Sequence, residues 1–276
     1  MLNDDAQTTA GGAPAYHHLT VERRGIAAWV TLNRPEVHNA FNEALIAELR
    51  EAFARLSAAD DIRAVVLQGA GRSFCAGADL NWMRASLEFT HEQNVADALR
   101  MADMFRAIDN CRHPVIGRIH GAALGGGAGL IAVCDLAIAS DDCRFGFTEA
   151  RLGIAPAVIS PFATRKIGVS HARALFTTAE RFDADRALTI GLVHQVVPLA
   201  ELDDAVQMTL RNIGLSGPAG VQAAKRMAMT VLSLPDAEAR DLTAQTIAGL
   251  RVSAEGQEGI RAFLEKRAAS WVQSDE

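Results

Sequence analysis

Apolar residues recur along this chain at two alternating periods, one of strands and one of helices. Two short runs, 18–24 and 26–32, meet at Gly25, and the second carries Trp29, Val30 and Thr31, so the pair reads as a β-hairpin. Asn33, Arg34 and Pro35 break the strand. Asn42 then stands where a helix cap belongs, ahead of Leu45, Ile46, Leu49, Phe53 and Leu56 at helical spacing, with the end expected near Ser57. A short buried strand over 65–67 runs into Gly69, Gly71 and a loop at 73–79. The alternation then repeats, with a helix over 91–110, a strand over 115–119 and a glycine cluster from 121 to 129. Two more strands are expected at 135–139 and 144–147.

From Ser160 onward the pattern is helical: 161–167, 171–178, 184–190, 202–213, 219–232 and 237–271, the last broken near 253–256. The chain therefore divides into an α/β core over 16–195 and a helical C-terminal region over 196–276. That region is short for an independent domain, so it is expected to pack on its own core and on a neighbouring subunit. Residues 1–15 are polar and acidic, without the basic start and apolar stretch of a signal peptide, and read as a disordered leader on a cytoplasmic protein. No membrane span is expected, because Asp135 interrupts the most apolar run, 128–139.

Composition narrows the function classes. With 276 residues, 49% of them hydrophobic, the chain can form one large domain or two small ones. Collagen-like, disulfide-scaffold and disordered classes are excluded. The 27 basic and 33 acidic residues give a net charge of −6 with no basic run, which argues against nucleic acid as a partner but allows a ligand with a few phosphates. Cys75, Cys111, Cys134 and Cys143 include no CxxC, and the eight histidines form no HxxxH or HExxH pair, so no metal site is expected. The thiols read as buried and reduced.

Chemistry concentrates in two loops of small residues, 73–80 and 121–129, each following a strand. Small side chains let a ligand reach backbone N–H groups, and a helix starting at such a loop aims its unpaired N–H groups and positive dipole end at that ligand. Two converging loops would form an oxyanion hole, which stabilises charge developing on a carbonyl oxygen. The alternatives are glycines serving close packing, or a dinucleotide loop, since Gly127, Gly129 and Ala132 fit GxGxxA. The latter fits poorly: the run lies inside a longer glycine tract, and Glu149 sits beyond a strand end.

With LNRPEVHNAFN at 32–42, SFCAGADL at 73–80, HPVIGRIHGAALGGGAGLIAVCDLAIA at 113–139 and FGFTEARLGIAP at 145–156, the sequence resembles the crotonase, or enoyl-CoA hydratase/isomerase, superfamily. The resemblance implies an α/β fold, a spiral of ββα units with a C-terminal helical trimerisation region, assembled as trimers or dimers of trimers. It also implies acyl-CoA thioester substrates and no cofactor beyond the substrate's own CoA. Carried over, the amides of Ala78 and Gly126 would hold the thioester oxygen. Glu36, Val37 and His38, together with Ala76, Gly77, Asp79, Leu80 and Gly125, would line the substrate channel. Glu36 and Asn81 stand where other members often carry Lys. Phe263 and Lys266 resemble a tail segment that approaches the CoA of a neighbouring subunit.

The resemblance assigns acid–base chemistry to Glu149. Two-base hydratases carry another Glu three residues after the central glycine of the GGG loop, where this chain has Gly129. A carboxylate beside Phe145, Phe147, Leu152 and Ile154 should have a raised pKa, which suits proton transfer near neutrality. One Glu is compatible with hydration, with double-bond isomerisation, or with a non-catalytic CoA-binding member. Gly129 and the stretch GIAPAVISPF at 153–162 resemble bacterial methylglutaconyl-CoA and isohexenylglutaconyl-CoA hydratases of leucine and acyclic-terpene breakdown. Such substrates bear a second carboxylate, for which Arg84 and Lys166 are candidate partners. Asp79 reads as a loop cap or an acid, His120 as structural, and His38 as a channel contact.

Overall fold

The structure, a computed structural model, describes residues 16–272; the expected leader lies outside them. The hairpin forms as expected from β1 (Leu19–Arg24) and β2 (Ala27–Leu32), antiparallel with Val21 opposite Val30. A single 3-10 turn at Pro35–Val37 leads to α1 (Glu43–Ala58), whose Asn42 cap accepts the Leu45 N–H at 2.8 Å. Next come β3 (Ala64–Gly69), the short α2 (Leu80–Ser86) and α3 (His91–Asp109). A reciprocal capping box of Thr90 and Gln93 starts α3.

The chain continues through β4 (Val115–Ile119), β5 (Ala122–Leu124) and α4 (Gly126–Ala132), then β6 (Leu136–Ser140) and β7 (Arg144–Gly146). α5 (Ser160–Thr178) is kinked at Gly168, where φ is +75°, so the two expected helical pieces meet across one left-handed glycine. β8 (Arg181–Phe182), α6 (Ala184–Thr189) and β9 (Gln195–Val197) close the core. The tail is α7 (Leu202–Leu215), α8 (Pro218–Thr230), α9 (Asp236–Val252) and α10 (Ala254–Leu264).

Strand, strand, helix recurs as β1–β2–α1, β4–β5–α4 and β6–β7–α5, the order of a ββα spiral. The larger sheet runs β1-β2-β3-β4-β6-β9, parallel beyond the first hairpin; the smaller runs β5-β7-β8. Alternate residues of the large sheet face two cores. Ala28, Val30, Val65, Leu67 and Val115 join Phe53, Phe105 and Leu130 on the inner side, while Trp29, Val66, Ile116 and Ile138 lie under Leu202, Val206 and Leu210 of α7.

Part of the tail therefore folds back on its own core. Arg63 donates to the Ile213 carbonyl at 3.0 Å at the end of α7, and Lys225 of α8 reaches Asp135 at 2.7 Å and the His113 carbonyl at 3.1 Å. The last helix ends at Leu264 rather than near 271. Lys266 turns left-handed (φ 53°), and the Lys266 and Arg267 amides bond back to the Phe263 and Ala262 carbonyls, a pattern that stops a helix.

Candidate functional site

Three segments meet at Glu149. The Leu124 N–H donates to the Cys75 carbonyl (3.0 Å) and the Cys75 N–H to the Ala122 carbonyl (3.0 Å), so the two small-residue loops lie side by side. Contact is so close that a Cβ at Gly127 would fall 2.1 Å from the Cys75 carbonyl oxygen. Gly125 has φ +52° and ψ −120°, a conformation closed to other residues, and from it α4 begins without a side-chain cap. The turn Glu149–Leu152 brings Glu149 Oε1 within 3.2 Å of where a Gly125 Cβ would be.

The two amides are free. Phe41 and Ala78 form a bridge in which Phe41 N–H donates to the Gly77 carbonyl (2.7 Å) and Asp79 N–H to the Phe41 carbonyl (2.8 Å), which turns the Ala78 amide to the other side. Among the described residues neither the Ala78 nor the Gly126 amide donates to a backbone carbonyl. At Gly126 the amide is the first N–H of a helix, where the macrodipole adds positive potential.

Glu149 is half-buried, and its Oε2 is buried with no hydrogen-bond partner. Burial raises its carboxyl pKa above the ordinary value, and its own backbone N–H only partly offsets this. The surroundings differ in part from expectation. Phe145 and Phe147 are in the core, stacked on Phe182 and edge-on to Phe176, whereas Leu152 and Ile154 of the turn are exposed.

At Gly129 there is no room for a side chain. A Cβ there would fall 2.4 Å from Ile159 Cγ2 and 3.0 Å from Phe105 Cζ, so apolar side chains already occupy the space. Neither Ile159 nor Phe105 was singled out by sequence reasoning, because their proximity to α4 arises only when α3 and α5 pack on it.

The channel segments also meet: the Ala76 N–H donates to the His38 carbonyl at 3.0 Å. Gly77 and Gly125 are buried in the floor, Ala76 and Val37 half-buried, and Glu36, His38 and Leu80 exposed. His38 also lies 3.0 Å from Ser73 Oγ through Nδ1. Asp79 is buried. Its carboxylate caps α2 through the Asn81 amide (2.7 Å) and is paired with Arg34 (2.7 Å), so the capping alternative is the one observed. Burial alone would raise its pKa, but the hydrogen bonds from Arg34, Asn81 and Trp82 outweigh it and hold the carboxyl low.

Arg84 is exposed on α2, and among the described residues its guanidinium donates to Asn81 Oδ1 alone, at 3.2 Å. Lys166 instead donates to the Cys134 carbonyl just past the other end of α4. Phe263 and Lys266 are exposed at the end of α10, and among the described residues no hydrogen bond or ion pair joins them to these loops. All four cysteines are buried, and burial pushes the Cys75 and Cys134 thiols up to about 12. His120 Nε2 donates to the Gly71 carbonyl (3.0 Å) on the outer face of the sheet. There a cavity of about 640 Å³ holds none of the residues around Glu149. No helix among the described residues is long and apolar enough to cross a membrane.

A family profile described as enoyl-CoA hydratase/isomerase matches residues 22–274. The chain belongs to that family. It is 32% identical over 247 residues to a putative enoyl-CoA hydratase of Thermus thermophilus, covering 88% of this chain and 96% of that protein. With the (E)-benzylidenesuccinyl-CoA hydratase of Thauera aromatica it shares 35% identity over 256 residues, covering 92% and 98%. The crystal structure of an enoyl-CoA hydratase from Shewanella pealeana superposes with a TM-score of 0.89 at 38% identity, covering 93% of this chain and 96% of that one. The fold is thus the crotonase fold, and the chain is an enzyme of a family whose named members here are hydratases.

Proposed function

We propose that this enzyme adds water across the Cα=Cβ bond of an enoyl-CoA thioester, with Glu149 as acid and base and the Ala78 and Gly126 amides as oxyanion donors. The observation that carries the reading is the buried, unpartnered Glu149 Oε2 beside two unpaired amides. An unsatisfied buried oxygen costs about 1–3 kcal/mol and persists where a substrate or water supplies the missing partner. Polarised by the two amides, the thioester becomes electrophilic at the β carbon. Glu149 deprotonates the attacking water and returns a proton to the α carbon of the enolate.

The acyl group we propose is 3-methylglutaconyl or a related branched glutaconyl. Supporting this are the filled space at Gly129, the exposed Arg84 cation, which pairs with no carboxylate among the described residues, and the named substrate of the Thauera relative, a substituted succinyl thioester. CoA would lie along the Glu36–His38 and Ala76–Leu80 segments. Phe263 and Lys266 would reach the CoA of a neighbouring subunit in a trimer or a dimer of trimers. A single carboxylate also favours a second reading, Δ3,Δ2-enoyl-CoA isomerisation, in which Glu149 carries a proton between the α and γ carbons.

The deciding experiment is a panel of acyl-CoA thioesters with and without a distal carboxylate, run in ¹⁸O water. Incorporation of ¹⁸O at the β carbon is expected; bond migration without it establishes the isomerase instead. Glu149→Gln is expected to lower turnover by about 10²-fold or more. Survival of turnover within about tenfold removes Glu149 from the mechanism.

A further inference from the structure

Asp79 follows the Ala78 amide in sequence, and its carboxylate is bound inward on both oxygens. Oδ1 accepts from Asn81 N–H (2.7 Å) and, more weakly, Trp82 N–H (3.4 Å), while Oδ2 accepts from Arg34 Nη2 at 2.7 Å. The second amino nitrogen of Arg34 donates to the Ala40 carbonyl at 2.5 Å, and the Arg34 backbone N–H donates to Asn39 Oδ1 at 2.9 Å. Asn39, itself left-handed at φ 56°, donates through Nδ2 to both Ala70 and Ser73 carbonyls at 2.8 Å. The Arg34 and Asp79 side chains are only 13% and 6% exposed. One guanidinium therefore ties segment 39–41 to loop 77–79.

Phe41 is where that tie meets both amides. Its backbone brackets Ala78, accepting from Asp79 and donating to Gly77. Its ring lies under Gly126, where a Cβ would fall 2.6 Å from Cε2. Moving Phe41 would displace the Ala78 amide through the backbone and the Gly126 amide through the ring. Hydrogen bonds to an oxyanion weaken steeply with misalignment, so donors of this kind must be held to within about 0.5 Å. A buried ion pair adds little net stability over apolar residues of the same volume, whereas a planar guanidinium with two fixed acceptors supplies defined geometry.

We propose that Arg34 and Asp79 are positioning residues that set the separation of the Ala78 and Gly126 amides through Phe41. The proposal rests on the reading of those amides as oxyanion donors, so its test reads carbonyl polarisation apart from turnover. An arylacryloyl-CoA thioester, whose conjugated carbonyl absorbs further to the red when hydrogen-bonded, is bound to Glu149→Gln protein carrying each further change. Kinetics are measured in the Glu149 parent. Arg34→Gln and Asp79→Asn are expected to lose most of the red shift and to lower kcat by about tenfold to a hundredfold. Affinity for a saturated acyl-CoA should stay within about threefold. Arg34→Lys, which keeps the charge but loses the planar two-nitrogen fork, is expected to recover part of the shift.

Variants that keep the full red shift and kcat, with only a lower melting temperature, overturn the proposal. A parent with no red shift at all defeats the oxyanion reading instead. Should Asp79→Asn fail to fold, Arg34→Gln leaves the cap on α2 intact and decides by the same two readouts.

Discussion

At Glu149, desolvation acts on chemistry and on stability together. A raised carboxyl pKa means that the folded protein holds this proton more tightly than the unfolded chain does. The group therefore contributes stability in full below the ordinary glutamate value of 4.5, and the contribution is lost as pH rises through the higher folded value. Glu149→Gln is expected to melt at a higher temperature than the parent at and above neutrality, with the gap closing in acid. A gap independent of pH would remove desolvation as its cause. The same shift should put the acidic limb of kcat/KM above the usual glutamate range, where loss of the base form stops water activation. Gly129 makes the complementary point. Gly129→Ala is expected to destabilise by about 1–3 kcal/mol in urea unfolding, because Ile159 and Phe105 must yield, and Ile159→Ala should recover much of that loss.

Among the elements, α4 and α8 show how far local pattern reaches. Periodicity and caps predicted α1, α3 and the two halves of α5 because each carries its own apolar stripe, and α1 and α3 also carry side-chain caps. α4 has neither: it begins on a strained glycine and is buried along its length, so only the loop around it could be anticipated. β5, β8 and β9 have two or three residues each, too few for a period, and exist because a neighbouring strand pairs with them. α8 buries one residue, yet Lys225, 8% exposed, anchors it to Asp135 and His113 where β4 begins. Lys225→Met leaves Asp135 without its cation and is expected to cost about 3 kcal/mol. Urea unfolding at fixed protein concentration checks this, and a change under about 0.5 kcal/mol would mean that the anchor is only a surface pair.

For the molecule as a whole, the tail divides in two. α7 lies on the outer face of the sheet, while α9 buries none of its residues, and Leu232, Val252, Phe263 and Leu264 are exposed within one subunit, Leu232 at 95%. Apolar surface of that extent on helices commonly marks an interface. With the oligomer proposed above, light scattering on the purified enzyme should give a mass of three or six subunits, and a monomer at micromolar concentration would refute it. Binding of acyl-CoA would then depend on assembly, since Phe263 and Lys266 stand apart from the site loops of their own chain.

Hydrophobic period, helix caps and the order of strands and helices follow from contacts between residues near in sequence. These are enough to predict the first hairpin, most long helices and both small-residue loops, whereas the ββα spiral was implied only by the family resemblance. Glu149, Ala78 and Gly126, the residues of the proposed chemistry, were singled out through the motif resemblance, although they lie 23 to 71 residues apart. Tertiary structure alone decided that Arg34 pairs with Asp79 across 45 positions, that Phe41 bonds to both neighbours of Ala78 and packs its ring against Gly126, and that Ile159 and Phe105 fill the space at Gly129. The reason is physical. Burial, desolvation and hydrogen bonds between distant segments come into being only when the chain closes on itself, and no local period encodes which partners it brings together.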